Sequence, residues 1–248
     1  MLKAIKSVLS DNLEGIYLKG SLALGDFDPK TSDIDLLVIN KELVSEEDFT
    51  RLAEMHSQIQ KMHNRYANEV ELAYVPLSAI QNFRPQQQYP VLERGVGERL
   101  KWKSLGANWI LEFWTVREHG ITLYGPNPKT LIPPITSDEI VGAVRQVLAQ
   151  DWLEWVDTWD SPEWSTHAGE MRFVVETLCR ALYTVGHGEL SSKPKAVRWA
   201  LLTLPEPWRS LITESQSWVA GGSLDGARVA QIEAFVRRVA TQVSLGQV

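Results

Sequence analysis

The chain has 248 residues, a formal charge of −6, 44% hydrophobic and 23% charged residues. These values are typical of a globular protein with one or two domains. The negative charge argues against general binding of nucleic acid, which needs a basic surface, and suits a cationic small molecule better. The single cysteine, Cys179, excludes an intrachain disulfide and a cysteine-rich zinc site, and we expect it in the core. Residues 1–15 lack the apolar core of a signal peptide and no apolar run reaches membrane-spanning length, so we expect a cytoplasmic protein without a membrane partner.

The first half of the chain predicts helices alternating with short strands. Apolar spacing and capping residues predict helices at 2–13, 45–67 and 107–119. Strands are predicted before Gly20, after Ser32, at 70–75 and at 121–124, with a polar, proline-containing loop at 82–90. We therefore expect an α+β (α/β) domain with a mixed sheet flanked by helices.

The most informative stretch is Gly20-Ser21, which a short polar connection joins to Ser32-Asp33-Ile34-Asp35. Side chains alternate along a strand, so Asp33 and Asp35 project to one side. Beyond Asp35 both faces are apolar, as in a strand buried within a sheet whose first residues alone reach solvent. Two carboxylates are suitable ligands for Mg²⁺ with nucleotide phosphates, while a glycine admits the phosphate and a serine hydroxyl bonds it. Aspartate and serine are each ordinary turn residues, but their combination in this order predicts a metal–triphosphate site.

A third carboxylate is predicted on the strand at 70–75, which Pro76 follows. Glu69 and Glu71 share one face of it, and Glu71 lies deeper, so Glu71 is the preferred general base and a possible third metal ligand. The alternative is that both glutamates mark the solvated face of an edge strand.

The stretch 125–136 holds four prolines and a glycine and is the predicted domain boundary. The pattern beyond it is helical, with capping-type residues at Ser137-Asp138-Glu139. We expect a first domain at 1–136 and an all-helical bundle at 137–248. Its helices are predicted at 137–156, 168–185, 193–203, 206–219 and 225–243.

The chain resembles a known family over nearly its whole length. The segments that carry the resemblance are Gly20-Ser21 with Asp33-Ile34-Asp35, then 117–126, 177–184, 188–193 with Ala196, and 199–201. The first of these is similar to the DNA polymerase beta-like nucleotidyltransferases. The later segments resemble the aminoglycoside adenylyltransferases that modify streptomycin and spectinomycin.

The resemblance implies roles by position. It places Ser21, Ser32, Asp33 and Asp35 on triphosphate and metal positions, together with Gly20, and Glu71 on the catalytic base. It also implies that ATP is the co-substrate and that two Mg²⁺ ions are the cofactor.

The helical half has further implied roles. Arg180 and Lys193 fall on basic positions that reach the nucleotide, and Trp159, Glu163 and Glu170 fall near positions that contact the drug, with Trp102 as a further wall. Charged drug amines would pair with carboxylates and stack on indole rings. The alternatives are a salt-bridged Arg180, a solvated Lys193 and tryptophans that simply fill the core.

The resulting expectation is a monomeric, Mg²⁺-dependent enzyme that transfers AMP from ATP to a hydroxyl of a streptomycin- or spectinomycin-type antibiotic and releases pyrophosphate. Two alternatives remain open at this point. One is a nucleotidyltransferase that modifies a protein hydroxyl, and the other is a non-catalytic nucleotide-binding sensor.

Overall fold

The computed structural model describes residues 1–29, 31–158 and 166–245 of the chain. The chain divides into two compact units, Met1–Ile135 and Thr136–Val248. The first unit contains a six-stranded sheet, and the described part of the second is helical. None of the helices in these ranges is both long and apolar enough to cross a bilayer.

The sheet is mixed, as the sequence predicts. Its strands lie in the order β5-β4-β3-β2-β1-β6. Neighbouring β2 and β3 are parallel, and the other pairs are antiparallel. The strands are β1 (Leu13–Leu18), β2 (Ile34–Asn40), β3 (Val70–Pro76), β4 (Gln88–Leu92), β5 (Lys101–Ser104) and β6 (Ile121–Tyr124).

Helices cover the two faces of this sheet. The helices of the first unit are α1 (Leu2–Leu9), α2 (Gly20–Leu24), α3 (Glu46–Gln60), α4 (Leu77–Gln81), α5 (Asn108–His119) and α6 (Pro128–Leu131). The face that packs against α1 and α3, here the α3 face, buries Leu36 and Leu72. The opposite α5 face buries Leu37 and Ala73 beneath Phe113. Strand β2 is therefore apolar on both sides beyond its first residues, as predicted.

Several local predictions differ from the structure. The first helix ends at Leu9 instead of continuing to residue 13, and a π-helical turn at Leu148–Trp152 interrupts the helix predicted at 137–156. Residues 88–90 belong to strand β4 instead of a loop, and β5 was not predicted. Helix α3 ends at Gln60 instead of continuing to 67, because the residues that follow are mostly exposed and the Asn64 side chain accepts a hydrogen bond from the Tyr66 amide in a local turn. The edge-strand alternative for β3 is wrong, since β3 lies between β2 and β4.

The second unit is a helical bundle, as predicted. Its helices are α7 (Ser137–Val147), a π-helical turn (Leu148–Trp152), α8 (Leu153–Asp157), α9 (Ala168–His187), α10 (Lys193–Thr203), α11 (Trp208–Ser215) and α12 (Gly226–Leu245). Thr136 caps α7 and forms a capping box with Glu139, one residue before the predicted cap. Helix α9 packs against α7, α10, α11 and α12, and it buries Cys179 as a free thiol.

Candidate functional site

Three carboxylates meet at one end of the sheet. Asp35 on β2 is directly opposite Glu71 on the parallel strand β3. Asp33 lies two residues earlier on the same side of the chain. One oxygen of each of the three residues lies within 4.8 Å of the others, and all three side chains are half-buried. Asp33, Asp35 and Glu71, called the carboxylate cluster below, are three hard oxygen donors at the distances that a divalent cation needs.

The turn after β1 fits closely against this cluster. The Lys19 amide donates to the Asp35 carbonyl at 3.0 Å, and the chain then turns into α2. Gly20 has a φ of +62°, and a Cβ at this position would collide with Asp35 Oδ2, so two separate constraints require glycine. The next residue, Ser21, has a buried hydroxyl with no hydrogen-bond partner among the described residues. A buried, unpartnered hydroxyl next to three carboxylates fits a metal that carries phosphate.

A buried lysine completes the arrangement, and sequence reasoning missed it. Lys19 is 3% exposed, and its ammonium lies 3.4 Å from Asp35 Oδ1 and 2.9 Å from Glu112 Oε2. Glu112 is on α5, three residues after Trp109 and on the same helical stripe as Trp109, Phe113 and Val116. A charged residue within that apolar stripe was the available signal. Burial by itself would lower the pKa of Lys19, but Glu112, Asp35 and Glu71 outweigh it and the pKa is raised.

Two of the clustered carboxylates have raised pKa values. Burial is the main cause for Asp35, with Asp33 and Glu112 adding to it and Lys19 opposing it. Burial also raises the pKa of Glu71, and the charges of Asp35, Glu112 and Asp33 act in the same direction. The cluster therefore carries an excess of negative charge, which a bound cation would relieve.

The surroundings of the cluster include an arginine and a cavity. Arg94 pairs with Asp33 at 3.4 Å, but its side chain is 49% exposed, so this pair contributes little. A cavity of about 140 Å³ opens beside Glu71 and is also lined by Lys103, Asn108 and Trp109. Glu71 is thus accessible to a small polar group.

The structure does not bring every predicted site residue of the first unit to the cluster. The Ser32 hydroxyl accepts a hydrogen bond from the Asp28 amide at 3.0 Å within the turn before β2. Trp102 stacks on Phe49 of α3, with ring centroids 5.3 Å apart. It therefore lies on the α3 face, whereas Glu71 lies on the α5 face. Alternation along β5 thus points the predicted drug-pocket residue Trp102 away from the cluster.

The basic candidates of the second unit lie where α9 meets α10. Arg180 donates from Nε to the Ser191 carbonyl at 3.1 Å, and the ammonium of Lys193 lies 4.4 Å from the centroid of the Phe173 ring. Lys193 is the first residue of α10, which Ser192 caps. Both cations are half-buried.

The acidic and aromatic drug-site candidates are less fully described. Glu170 is exposed in the first turn of α9. Trp159 and Glu163 lie outside the described residues. A cavity of about 350 Å³ elsewhere in this unit is lined by Trp218, Glu214 and Arg228, but the last two pair with each other and none of the candidates lines it.

Together, the mixed sheet, the carboxylates at its strand ends and Gly20-Ser21 define a nucleotidyltransferase. Residues 2–87 match the family model of the nucleotidyltransferase domain, and residues 130–242 match that of the aminoglycoside adenylyltransferase C-terminal domain. The chain belongs to the aminoglycoside adenylyltransferase family.

Relatives match along most of the chain. A spectinomycin 9-adenylyltransferase of Campylobacter jejuni is 28% identical, with 93% of this chain and 87% of the relative covered. An aminoglycoside (3'') (9) adenylyltransferase of Escherichia coli is 26% identical, with 97% of this chain and 91% of the relative covered. The crystal structure of spectinomycin adenyltransferase AAD(9) from Enterococcus faecialis with ATP and spectinomycin has a TM-score of 0.75 at 16% identity, covering 98% of this chain and 96% of that one. The structural likeness shows that the two share a fold.

Proposed function

We propose that the protein transfers AMP from ATP to a hydroxyl of an aminoglycoside or aminocyclitol antibiotic of the streptomycin or spectinomycin type, and that it releases pyrophosphate. The observation that carries this proposal is the convergence of Asp33, Asp35 and Glu71 within 4.8 Å of one another. The cluster lies beside Gly20-Ser21 in a chain that belongs to a family of adenylyltransferases. The named relatives act on spectinomycin or aminoglycosides, and this supports the choice of acceptor.

In this proposal the cluster binds the nucleotide through metal. Asp33 and Asp35, with Glu71, hold Mg²⁺, and a pair of ions would neutralise the triphosphate and stabilise the attacking and leaving oxygens. The Ser21 hydroxyl donates to a phosphate oxygen and so gains the partner that it otherwise lacks. Gly20 keeps the backbone close to the phosphates, because it has no side chain to stand between them. Ser32, which orders the turn before β2, is proposed as a further triphosphate contact.

Glu71 takes the proton from the acceptor hydroxyl. The hydroxyl oxygen then forms a bond to the α-phosphorus of ATP, while the bond from that phosphorus to the bridging oxygen breaks and pyrophosphate leaves. The cavity beside Glu71 gives the hydroxyl room to approach.

The second unit provides the remaining proposed contacts. Arg180 and Lys193 bind the nucleotide, and Trp159, Glu163 and Glu170 contact the cationic antibiotic. Because Trp102 lies on the opposite face of the sheet from Glu71, it has no part in this pocket. The enzyme acts as a monomer with a nucleotidyltransferase domain followed by a substrate-binding domain.

The test is pyrophosphate release from ATP and Mg²⁺ with streptomycin, spectinomycin and kanamycin offered separately. The Glu71→Gln variant removes the proposed base with little change in volume. Glu69→Gln is its matched control, since Glu69 precedes the same strand and no base role is proposed for it. We expect release with at least one of the first two drugs, a loss of about 10²- to 10⁴-fold in Glu71→Gln and little change in Glu69→Gln.

Other outcomes separate the competing functions. ATP binding without pyrophosphate release for any drug would contradict the antibiotic acceptor and favour a sensor or a protein acceptor. A protein substrate would then be identified by labelled AMP that stays bound to protein after denaturation. Equal loss in Glu69→Gln and Glu71→Gln would contradict the assignment of the base.

A further inference from the structure

Lys19 is placed in an unusual way for a lysine. Its side chain is almost fully buried and ends between Asp35 Oδ1, at 3.4 Å, and Glu112 Oε2, at 2.9 Å. The ammonium also lies 5.7 Å from the ring centroid of Trp109. A buried ammonium is costly unless it is paired, and the two carboxylates that meet it there stabilise this position.

The charges around Lys19 do not balance. Asp33, Asp35 and Glu71 form the cluster, and Glu112 adds a fourth carboxylate next to it. Arg94 also meets the cluster, but its side chain is half exposed and its charge is screened by solvent. Lys19 is screened far less because it is buried, and its charge therefore acts more strongly on Asp35.

We propose that Lys19, anchored by Glu112, is a positioning residue that serves as a built-in counter-cation: it holds Asp35 in place while no metal is bound and weakens the binding of divalent cations. The inference rests on the proposed function in one respect, namely that the carboxylate cluster binds a divalent cation. Lys19 and the metal compete for the same negative charge, so the ammonium takes part of the role that the metal plays in a site of bare carboxylates. Glu112 limits this competition, because it draws the ammonium toward α5.

The proposal predicts effects of opposite sign for two substitutions. Lys19→Met keeps most of the buried volume but removes the cation, so the metal-free protein should lose stability and Mn²⁺ should bind about tenfold tighter. Glu112→Gln leaves Lys19 with Asp35 as its charged partner, so Mn²⁺ should bind severalfold more weakly. The double variant Lys19→Met/Glu112→Gln removes one positive and one negative charge together, so its affinity for Mn²⁺ should return toward that of the wild type.

The experiment measures Mn²⁺ binding by calorimetry and Tm with and without Mn²⁺, on the full chain and without nucleotide. Lys6→Met is the control, because Lys6 contacts the Tyr124 ring and we propose no interaction between Lys6 and the carboxylate cluster. We expect the rise in Tm on adding Mn²⁺ to be larger for Lys19→Met than for the wild type. For Glu112→Gln the rise should be smaller than for the wild type. Lys6→Met should respond as the wild type does.

A purely structural role for Lys19 gives a different pattern. It would lower the Tm of both single variants equally with and without Mn²⁺ and leave the Mn²⁺ affinities unchanged, and this result would overturn the inference. Because the Glu112 side chain is 33% exposed, Glu112→Gln tests the idea even if Lys19→Met does not fold. Failure of the wild type to bind Mn²⁺ would instead overturn the proposed metal site, and the inference with it, before any variant is compared.

Discussion

The two faces of the six-stranded sheet each bury polar groups, but they do so in different ways. On the α3 face, His56 and Tyr74 form a single hydrogen bond of 2.8 Å, and both are almost fully buried. Burial lowers the pKa of His56 to about 4, so at neutral pH this pair carries no charge. On the α5 face, the carboxylate cluster, Glu112 and Lys19 carry a net negative charge in a half-buried setting.

This difference separates a structural role from the proposed binding role. The α3-face pair satisfies its own hydrogen bond and needs nothing further. The α5-face group has more carboxylates than partners, and beside it the Ser21 hydroxyl has no partner among the described residues. Such an excess destabilises the folded state and would be relieved by a bound cation, while a bound phosphate would give the Ser21 hydroxyl its partner. Substitutions on the α5 face should therefore affect turnover, and those on the α3 face should affect stability.

The largest effect is expected from Asp35→Asn. It removes a proposed metal ligand while Glu112 still pairs with Lys19, so turnover should fall by about 10³-fold or more with little change in Tm. Steady-state kinetics and thermal unfolding measure the two quantities. Asp11→Asn is the control, because Asp11 is exposed at the opposite end of β1. Turnover of Asp35→Asn at the wild-type rate would refute the metal assignment.

Gly20→Ala should have the next largest effect. The left-handed backbone at Gly20 costs an alanine about 1–2 kcal/mol, and the new Cβ must also displace the Asp35 carboxylate. Displacing a metal ligand by about 1 Å can lower turnover by about 10²-fold. Gly25→Ala is a matched control, since Gly25 also has a positive φ but open space around its Cβ. Gly20→Ala should lose at least as much stability as Gly25→Ala and far more activity, whereas equal losses of activity would show that the contact with Asp35 is unimportant.

Simple alternation along β2 was enough to predict part of the site. It placed Asp33 and Asp35 on one side and showed that the strand is buried beyond them. Glu71 also followed from alternation along β3, but its pairing with Asp35 depends on which strands are neighbours. Sequence pattern does not determine that order.

The residues that were missed depend on contacts between distant parts of the chain. Lys19 and Glu112 are 93 positions apart. Glu112 interrupts an apolar helical stripe, but nothing in the sequence pattern pairs it with Lys19. Strand β4 was missed because Pro90 argues against a strand. The ladder from β3 reaches only Val91 and Leu92, so the missing amide of Pro90 falls beyond it.

On the α3 face, the His56 pair predicts a pH-dependent stability. The pKa of His56 is about 4 in the folded state and 6.5 ordinarily, so the unfolded chain binds more protons between these values. The stability from a neutral His56 is complete above pH 6.5 and is lost as the pH falls toward 4. Between pH 7 and pH 5 the expected loss in the free energy of unfolding is about 2 kcal/mol.

Denaturant unfolding at the two pH values measures this loss. In His56→Gln the difference in unfolding free energy between pH 7 and pH 5 should be smaller by about this loss. His63→Gln should show the wild-type difference, because His63 is exposed after α3. An unchanged pH dependence in His56→Gln would show that other groups cause it. Turnover of His56→Gln relative to the wild type should be nearly unchanged at pH 7.

The smallest effect on turnover is expected from Trp102→Leu. Trp102 stacks on Phe49 on the α3 face, and losing this aromatic pair should cost about 0.5–1.5 kcal/mol of stability. The KM for the antibiotic should stay within about twofold of the wild type, because the indole lies on the opposite face of the sheet from Glu71. The matched substitution Phe49→Leu removes the same stack from the helix side and should cost a similar amount. A KM raised tenfold in Trp102→Leu but not in Phe49→Leu would return Trp102 to the drug pocket, and the separation between a binding face and a structural face would then no longer hold.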